Sequence, residues 1–243
     1  MPRLLLFLLL MLPVTTALRA TPGETVILLH GLGRTRWSMW RIEQALRQDG
    51  YRVVNDSYPS QKKTIEDLAH NYLAPLVAAQ GAAPRLHFVT HSMGGILLRC
   101  YLRNHSIPKL GRVVMLAPPN AGSELADWLK PTRLYRTVNG PAGQQLGTDG
   151  LPLALGPWPV DAGELGIIAG AASLNPVFTA HLPGPNDGKV TVASARLAGL
   201  KDFLTVPHSH TWLAWRAPVI AQVRAFLRHG GFTRPAPRSA TPA

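Results

Sequence analysis

Short, continuous apolar runs, closed by glycine, proline or a polar residue, alternate along this chain with segments whose apolar residues recur every three or four positions. "ETVILLHG" (24–31), "YRVVNDSYP" (51–59), "RLHFVTH" (85–91) and "GRVVMLAP" (111–118) show the first pattern, that of strands buried on both faces of a parallel sheet. "RTRWSMWRIEQALRQDG" (34–50) shows the second, with Trp37, Trp40, Ile42, Ala45 and Leu46 as its apolar positions and Gly50 as its stop. "TIEDLAHNYLAPLVAAQG" (64–81) opens with Thr64 and Asp67 at capping-box-like spacing, and Pro75 disturbs its middle. "MGGILLRCYLRN" (93–104) is the third helix. Strands and helices in this alternation predict an α/β fold, a mostly parallel sheet with helices on both faces.

The rhythm breaks over residues 119–163, which are rich in Gly and Pro and carry Trp128, Leu129, Leu134, Tyr135, Leu153 and Trp158 at irregular intervals. Such a segment is an excursion over the sheet or a lid that walls a pocket. Trp128 and Leu129 are its candidate substrate-binding residues, because so much apolar area is not left in water without a reason. Order returns with strands at "LGIIAG" (165–170) and "DFLTVP" (202–207). A last helix follows over 211–230, with Pro218 inside it and Gly230 at its end. The Pro-, Ser- and Thr-rich stretch 231–243 predicts a disordered tail.

The first twenty residues read differently from the rest. Arg3 gives a positive start, Leu4 to Val14 is an apolar run, and Thr15-Thr16-Ala17 supplies small residues for cleavage. This is the anatomy of an export signal over 1–20, which would place the mature protein in a periplasm or outside the cell. The alternative is an uncleaved membrane anchor, although the run falls short of the about 20 residues that span a bilayer. Residues 21–230 are then one domain. With 46% hydrophobic and 16% charged residues in a chain of 243, it can bury a sizeable core. Cys100 is the single cysteine, so no intramolecular disulfide forms, and its apolar neighbours read it as a small core residue. The net charge of +12 comes from scattered residues, mostly arginine, with no basic block interleaved with aromatics. That distribution argues against a nucleic-acid partner and leaves room for a weak pull toward anionic membrane surfaces. No His/Cys cluster has metal-ligand spacing, so neither a metal nor an organic cofactor is expected.

Four polar or glycine-rich stretches fall at the carboxyl ends of predicted strands, where open parallel sheets bind ligands: "HGLGR" (30–34), "THSMGG" (90–95), "GPNDGKV" (184–190) and "PHSHTW" (207–212). Ser92 lies between a strand and a helix, the context of a nucleophile elbow, with Gly94 in place and Thr90 where the motif's first glycine would stand. A serine hydroxyl needs a histidine base, itself oriented by a carboxylate. In the chain order Ser, Asp, His, the acid candidate is Asp187, with Asp161 and Glu164 as rivals at the start of the preceding strand. The base candidates are His208 and His210, and Ser209 or Thr211 would cap the helix that follows. His91 is set aside, because adjacent strand positions point to opposite sides. His30 reads as a packing residue under the glycine loop. The backbone N–H groups of Leu32 and Met93 are the candidate oxyanion hole.

"VILLHGLGRTRWSMW", "FVTHSMGG", "PNDGKV" and "SHTWL" together resemble the α/β-hydrolase superfamily, in particular its small bacterial lipase- and esterase-like members. The resemblance spans roughly residues 24–229. It implies Ser92 as nucleophile, Asp187 as acid, His210 as base, and a reduced sheet of about six strands without the two leading antiparallel ones. It also implies a hydrolase of carboxylic esters, with lipid or acyl esters as the expected substrates. Two alternatives stand beside it: an acyltransferase with the same triad, and a non-catalytic binding protein on the same fold.

Overall fold

The computed structural model describes residues 23–234. The expected export segment and residues 235–243 lie outside the described residues. Six strands, β1 (Thr25–Leu29), β2 (Arg52–Val54), β3 (Leu86–His91), β4 (Leu110–Leu116), β5 (Glu164–Gly170) and β6 (Asp202–Val206), form one sheet in the order β2-β1-β3-β4-β5-β6. Every neighbouring pair is parallel. The expected parallel sheet is thus present, with all six strands in it.

The helices are α1 (Trp40–Gln48), α2 (Ile65–Leu68), α3 (Ala74–Ala78), α4 (Met93–Asn104), α5 (Glu124–Leu129), α6 (Arg133–Gln144), α7 (Leu151–Ala154), α8 (Pro176–Ala180), α9 (Val192–Ala195) and α10 (Ala217–His229). Successive strand residues point to opposite faces, and β1 displays this directly. Ile27 and Leu29 join the core under α2, α3 and α4, while Val26 and Leu28 join the core under α1 and α10. Cys100 is buried in the first of these cores, where desolvation pushes its thiol up to about 11.

Several boundaries differ from the expected ones, each for a local reason. The strand expected over 51–59 ends at Val54, because the next polar residues turn to α1 instead of a neighbour strand. Asn55 Nδ2 donates to Glu43 Oε2 (2.7 Å), and Ser57 Oγ accepts from the Arg36 N–H (3.0 Å). Thr64 does cap α2, accepting from Asp67 N at 3.1 Å. A π-helical turn, Ala69–Leu73, then stands directly before Pro75, which has no N–H to give and crowds the preceding turn. The last helix is two pieces, a 3₁₀ segment His210–Trp215 and α10. Pro218 therefore stands in the first turn of α10, where its missing N–H costs nothing. Neither Ser209 nor Thr211 caps the 3₁₀ segment through its side chain. The expected disorder does not hold for residues 231–234. Phe232 is buried, its N–H donates to Asp202 Oδ2 (2.7 Å), and Arg234 pairs with the same carboxylate.

The irregular segment 119–163 carries α5, α6 and α7 and lies across the carboxyl end of the sheet. It is fastened by Arg99 of α4, whose buried guanidinium donates to Asn120 O and Oδ1 and to the carbonyls of Pro152 and Gly156. Helix α6 kinks at Gly140, which has φ +60°; a side chain there would meet the Gln61 carbonyl at 1.6 Å. In sheet order the chain moves from β1 outward to β2, then returns to β3 on the other side of β1. This reversal opens a crevice at the carboxyl ends of β1 and β3.

Candidate active site

Ser92 is the one residue between β3 and α4, and its backbone is forced into an unusual shape, φ 54° and ψ −125°. Conformations of this kind cost about 1–3 kcal/mol and persist only where the surroundings fix them. Here Ser92 N donates to the Leu116 carbonyl (2.9 Å) and Ser92 O accepts from Gly95 N (2.9 Å). Helix α4 passes so close to the end of β1 that a Cβ on Gly94 would lie 2.4 Å from the Leu29 carbonyl oxygen. Glycine is therefore required at 94. Thr90, at the position of the missing glycine, fits wholly buried in β3.

The loop after β1 reaches the same point. His30 is buried beneath it, stacked on the Tyr58 ring at 3.9 Å. Its Nε2 accepts from the Tyr58 N–H (3.2 Å), so Nδ1 carries the proton and meets the Gly31 carbonyl at 2.9 Å. Burial holds this imidazole below its usual pKa, and so neutral. The Leu32 and Met93 N–H groups, from this loop and from the start of α4, have no acceptor among the described residues.

On the far side, Asp187 and His210 meet. His210 Nδ1 lies 2.8 Å from Asp187 Oδ2, and the His210 N–H donates to the Asp187 carbonyl (3.0 Å). The other carboxylate oxygen accepts from the N–H groups of Lys189 (3.0 Å) and Val190 (2.8 Å). Both side chains are almost fully buried. His208 is spent on leaving β6, its N–H returning to the Val206 carbonyl (2.8 Å). Of the rival acids, Asp161 is exposed, beside a separate hollow with Leu102 and His105. Glu164 pairs with Arg112 and Lys201 at the amino end of β5.

Ser92 and His210 face one cavity of about 250 Å³, whose wall also includes Leu32, Leu125, Leu129, Leu146 and Phe178. About half of the lining residues come from segment 119–163. Of the two substrate-binding candidates, Leu129 lines the cavity and Trp128 does not. Leu125, Ala126 and Leu129 share one face of α5, and Trp128 projects to its side, where it stacks on His181 at 3.8 Å.

The family model described as "Alpha/beta hydrolase family" matches residues 26–240. The chain belongs to the alpha/beta hydrolase family. Over 114 residues it is 31% identical to a probable esterase of rice, Oryza sativa, an alignment that covers 42% of this chain and 43% of that protein. The chain thus matches less than half the length of that curated relative. Its structure is similar to a mature lipase of Bacillus licheniformis, with TM-score 0.65 and 22% identity over 79% of this chain and 87% of that one. A metagenomic carboxyl esterase is also similar, with TM-score 0.64 and 18% identity over 80% and 67% of the two chains. At these identities the structural likeness is one of fold.

Three residues around the cavity of this alpha/beta hydrolase were not singled out by the sequence. His91 is not turned away from the site: its Nε2 donates to the His210 carbonyl at 3.0 Å, and the two rings lie 4.9 Å apart. Strand alternation fails here because Ser92 has already left the extended conformation. Burial, and then the neighbouring His210, hold the His91 pKa well below the usual range. Arg34 and Lys189 also line the cavity. They stand within two of the quoted motifs, "HGLGR" and "GPNDGKV", and that position is their only signal at the level of sequence. Among the described residues no group of three or more His, Cys, Asp or Glu side chains is arranged to hold a metal.

Proposed function

We propose that this protein hydrolyses carboxylic esters, lipid or acyl esters among them, with Ser92 as nucleophile, His210 as base and Asp187 as the acid that orients it. The observation that carries this reading is a strained serine facing one cavity with a buried, carboxylate-bonded imidazole. The names of the relatives, esterases and a lipase, support it, as do the leucines and the phenylalanine of the cavity wall.

The chemistry follows from these positions. Asp187 accepts a hydrogen bond from the Nδ1–H of His210, which leaves Nε2 unprotonated and basic. His210 takes the Ser92 hydroxyl proton as Oγ attacks the ester carbonyl. The oxygen that becomes negative is met by the Leu32 and Met93 N–H groups, which have no other acceptor among the described residues. Collapse of this intermediate expels the alcohol, which receives its proton from His210 and leaves an acyl-serine. Water, deprotonated by His210, then releases the carboxylic acid and restores Ser92. Residues 1–20 we read as an export signal. N-terminal sequencing of the mature protein would begin downstream of Ala17 on this reading, and at Met1 if the segment is retained.

The direct test is turnover of p-nitrophenyl esters of graded chain length by the wild type and by Ser92→Ala. Loss of the nucleophile should lower kcat on the order of 10⁶-fold, with the thermal midpoint nearly unchanged. Full turnover by Ser92→Ala would overturn the assignment.

A further inference from the structure

Two cations face the catalytic cavity, and no carboxylate does. Arg34 and Lys189 line it together with Ser92 and His210, and its wall contains no Asp or Glu. Neither cation forms an ion pair among the described residues. The Arg34 guanidinium donates to the Thr211 hydroxyl (3.3 Å), while Asp187, whose charge reaches Lys189, is taken up by His210 and two backbone N–H groups. The segments outside the described residues, 1–22 and 235–243, contain no Asp or Glu that could supply a partner.

The two charges sense one another. Lys189 is exposed as a whole residue, yet desolvation, and next the Arg34 charge, lower its pKa. Both charges also reach His91 on the cavity floor and help keep it neutral. Elsewhere among the described residues three partly buried cations meet carboxylates, while the buried Arg99 meets carbonyls. Arg112 meets Glu164, Lys130 meets Asp127 and Asp149, and Arg224 meets Asp49. Two like charges left beside each other in a partly enclosed space repel, and a bound anion relieves that repulsion.

We infer that Arg34 and Lys189 form an anion subsite, and that the preferred ester carries a phosphate or carboxylate next to the scissile bond. The inference rests on the ester-hydrolase reading above and narrows its substrate class. Arg34 presents a planar fork that matches either anion, and Lys189 adds a point charge beside it.

The test uses matched ester pairs on the full-length protein, below their aggregation concentrations. p-Nitrophenyl hemisuccinate against p-nitrophenyl butyrate places a carboxylate on the acyl side. A short-chain monoacylglycerol phosphate against the monoacylglycerol places a phosphate on the alcohol side. In at least one pair kcat/KM should favour the anionic member by about tenfold or more, the size of one charge-assisted hydrogen bond. That ratio should fall toward one in Arg34→Gln and Lys189→Gln, and in the wild type at about 0.5 M salt. The pair that shows the preference tells which side of the ester the anion occupies. Ratios of one or less in both pairs would overturn the subsite, as would a preference that survives the double substitution. Labelling by a fluorophosphonate separates the two ideas. A labelled Ser92 without anion preference defeats the subsite alone, whereas an unlabelled protein that turns over none of the four esters defeats the hydrolase reading and the subsite with it.

Discussion

At the scale of single residues, the Asp187–His210 contact permits a sharp separation of roles. Asp187→Asn keeps an acceptor for the Lys189 and Val190 N–H groups, but it can turn an amide N–H toward His210 and favour the wrong tautomer. We expect kcat to fall by about 10⁴-fold with little change in thermal midpoint; a fall of less than tenfold would remove Asp187 from the acid's role. His210→Ala should abolish turnover at pH 8, and His208→Ala should keep most of it. The reverse outcome would move the base by two residues. Much of this was legible in the sequence: a serine between strand and helix, an Asn-Asp-Gly turn and a paired histidine motif each stand at a strand's carboxyl end. His91 was misread because the rule of alternating faces assumes extended backbone, and the elbow abolishes that conformation one residue later. Arg34 and Lys189 gave no signal as a pair, because two loops 155 positions apart come to line one cavity only through the sheet order.

Among the elements, the segment 119–163 decides what fits beside Ser92. Leu129 lines the cavity and Trp128 does not, standing exposed against His181. Leu129→Trp should fill the space and shift the preference toward shorter acyl chains, and Leu129→Ala should shift it the other way. Trp128→Ser should change the profile much less. A profile over graded p-nitrophenyl esters that responds to Trp128 and ignores Leu129 would contradict this geometry. The sequence showed that the segment was irregular and apolar, and it could not show which apolar residue faced inward. Helix α5 is only six residues long, so its inner face is set by what it packs on, α6 included. The regular elements were easier, since the continuous apolar runs of β1, β3, β4 and β5 leave no other buried structure of that length. β2 was overextended because its polar tail bonds to α1, a tertiary choice that no local pattern announces.

For the molecule as a whole, three buried histidines link stability to pH. His30, His87 and His91 are all held below the ordinary value, first by desolvation, with the Arg85 and Arg112 charges bringing His87 to about 4. The folded protein keeps these rings neutral, while the unfolded chain protonates them below a pKa of about 6.5. The unfolded state therefore binds more protons as the medium turns acid. The stability these groups contribute is complete above pH 6.5 and is lost as the pH falls through the window from 6.5 toward 4. His87 alone accounts for about 3 kcal/mol across that window. Urea midpoints should fall steeply between pH 6.5 and 4, and His87→Gln should flatten the slope. A midpoint constant over that range would contradict the burial of these rings.

In the proposed mechanism one serine, strained at the turn between β3 and α4, is the nucleophile. Peptide mapping of the protein after reaction with a fluorophosphonate tests it most directly. We expect one adduct per chain, located on Ser92, formed far more slowly in His210→Ala. An adduct on any other residue, or an unmodified Ser92 in folded protein, would contradict it.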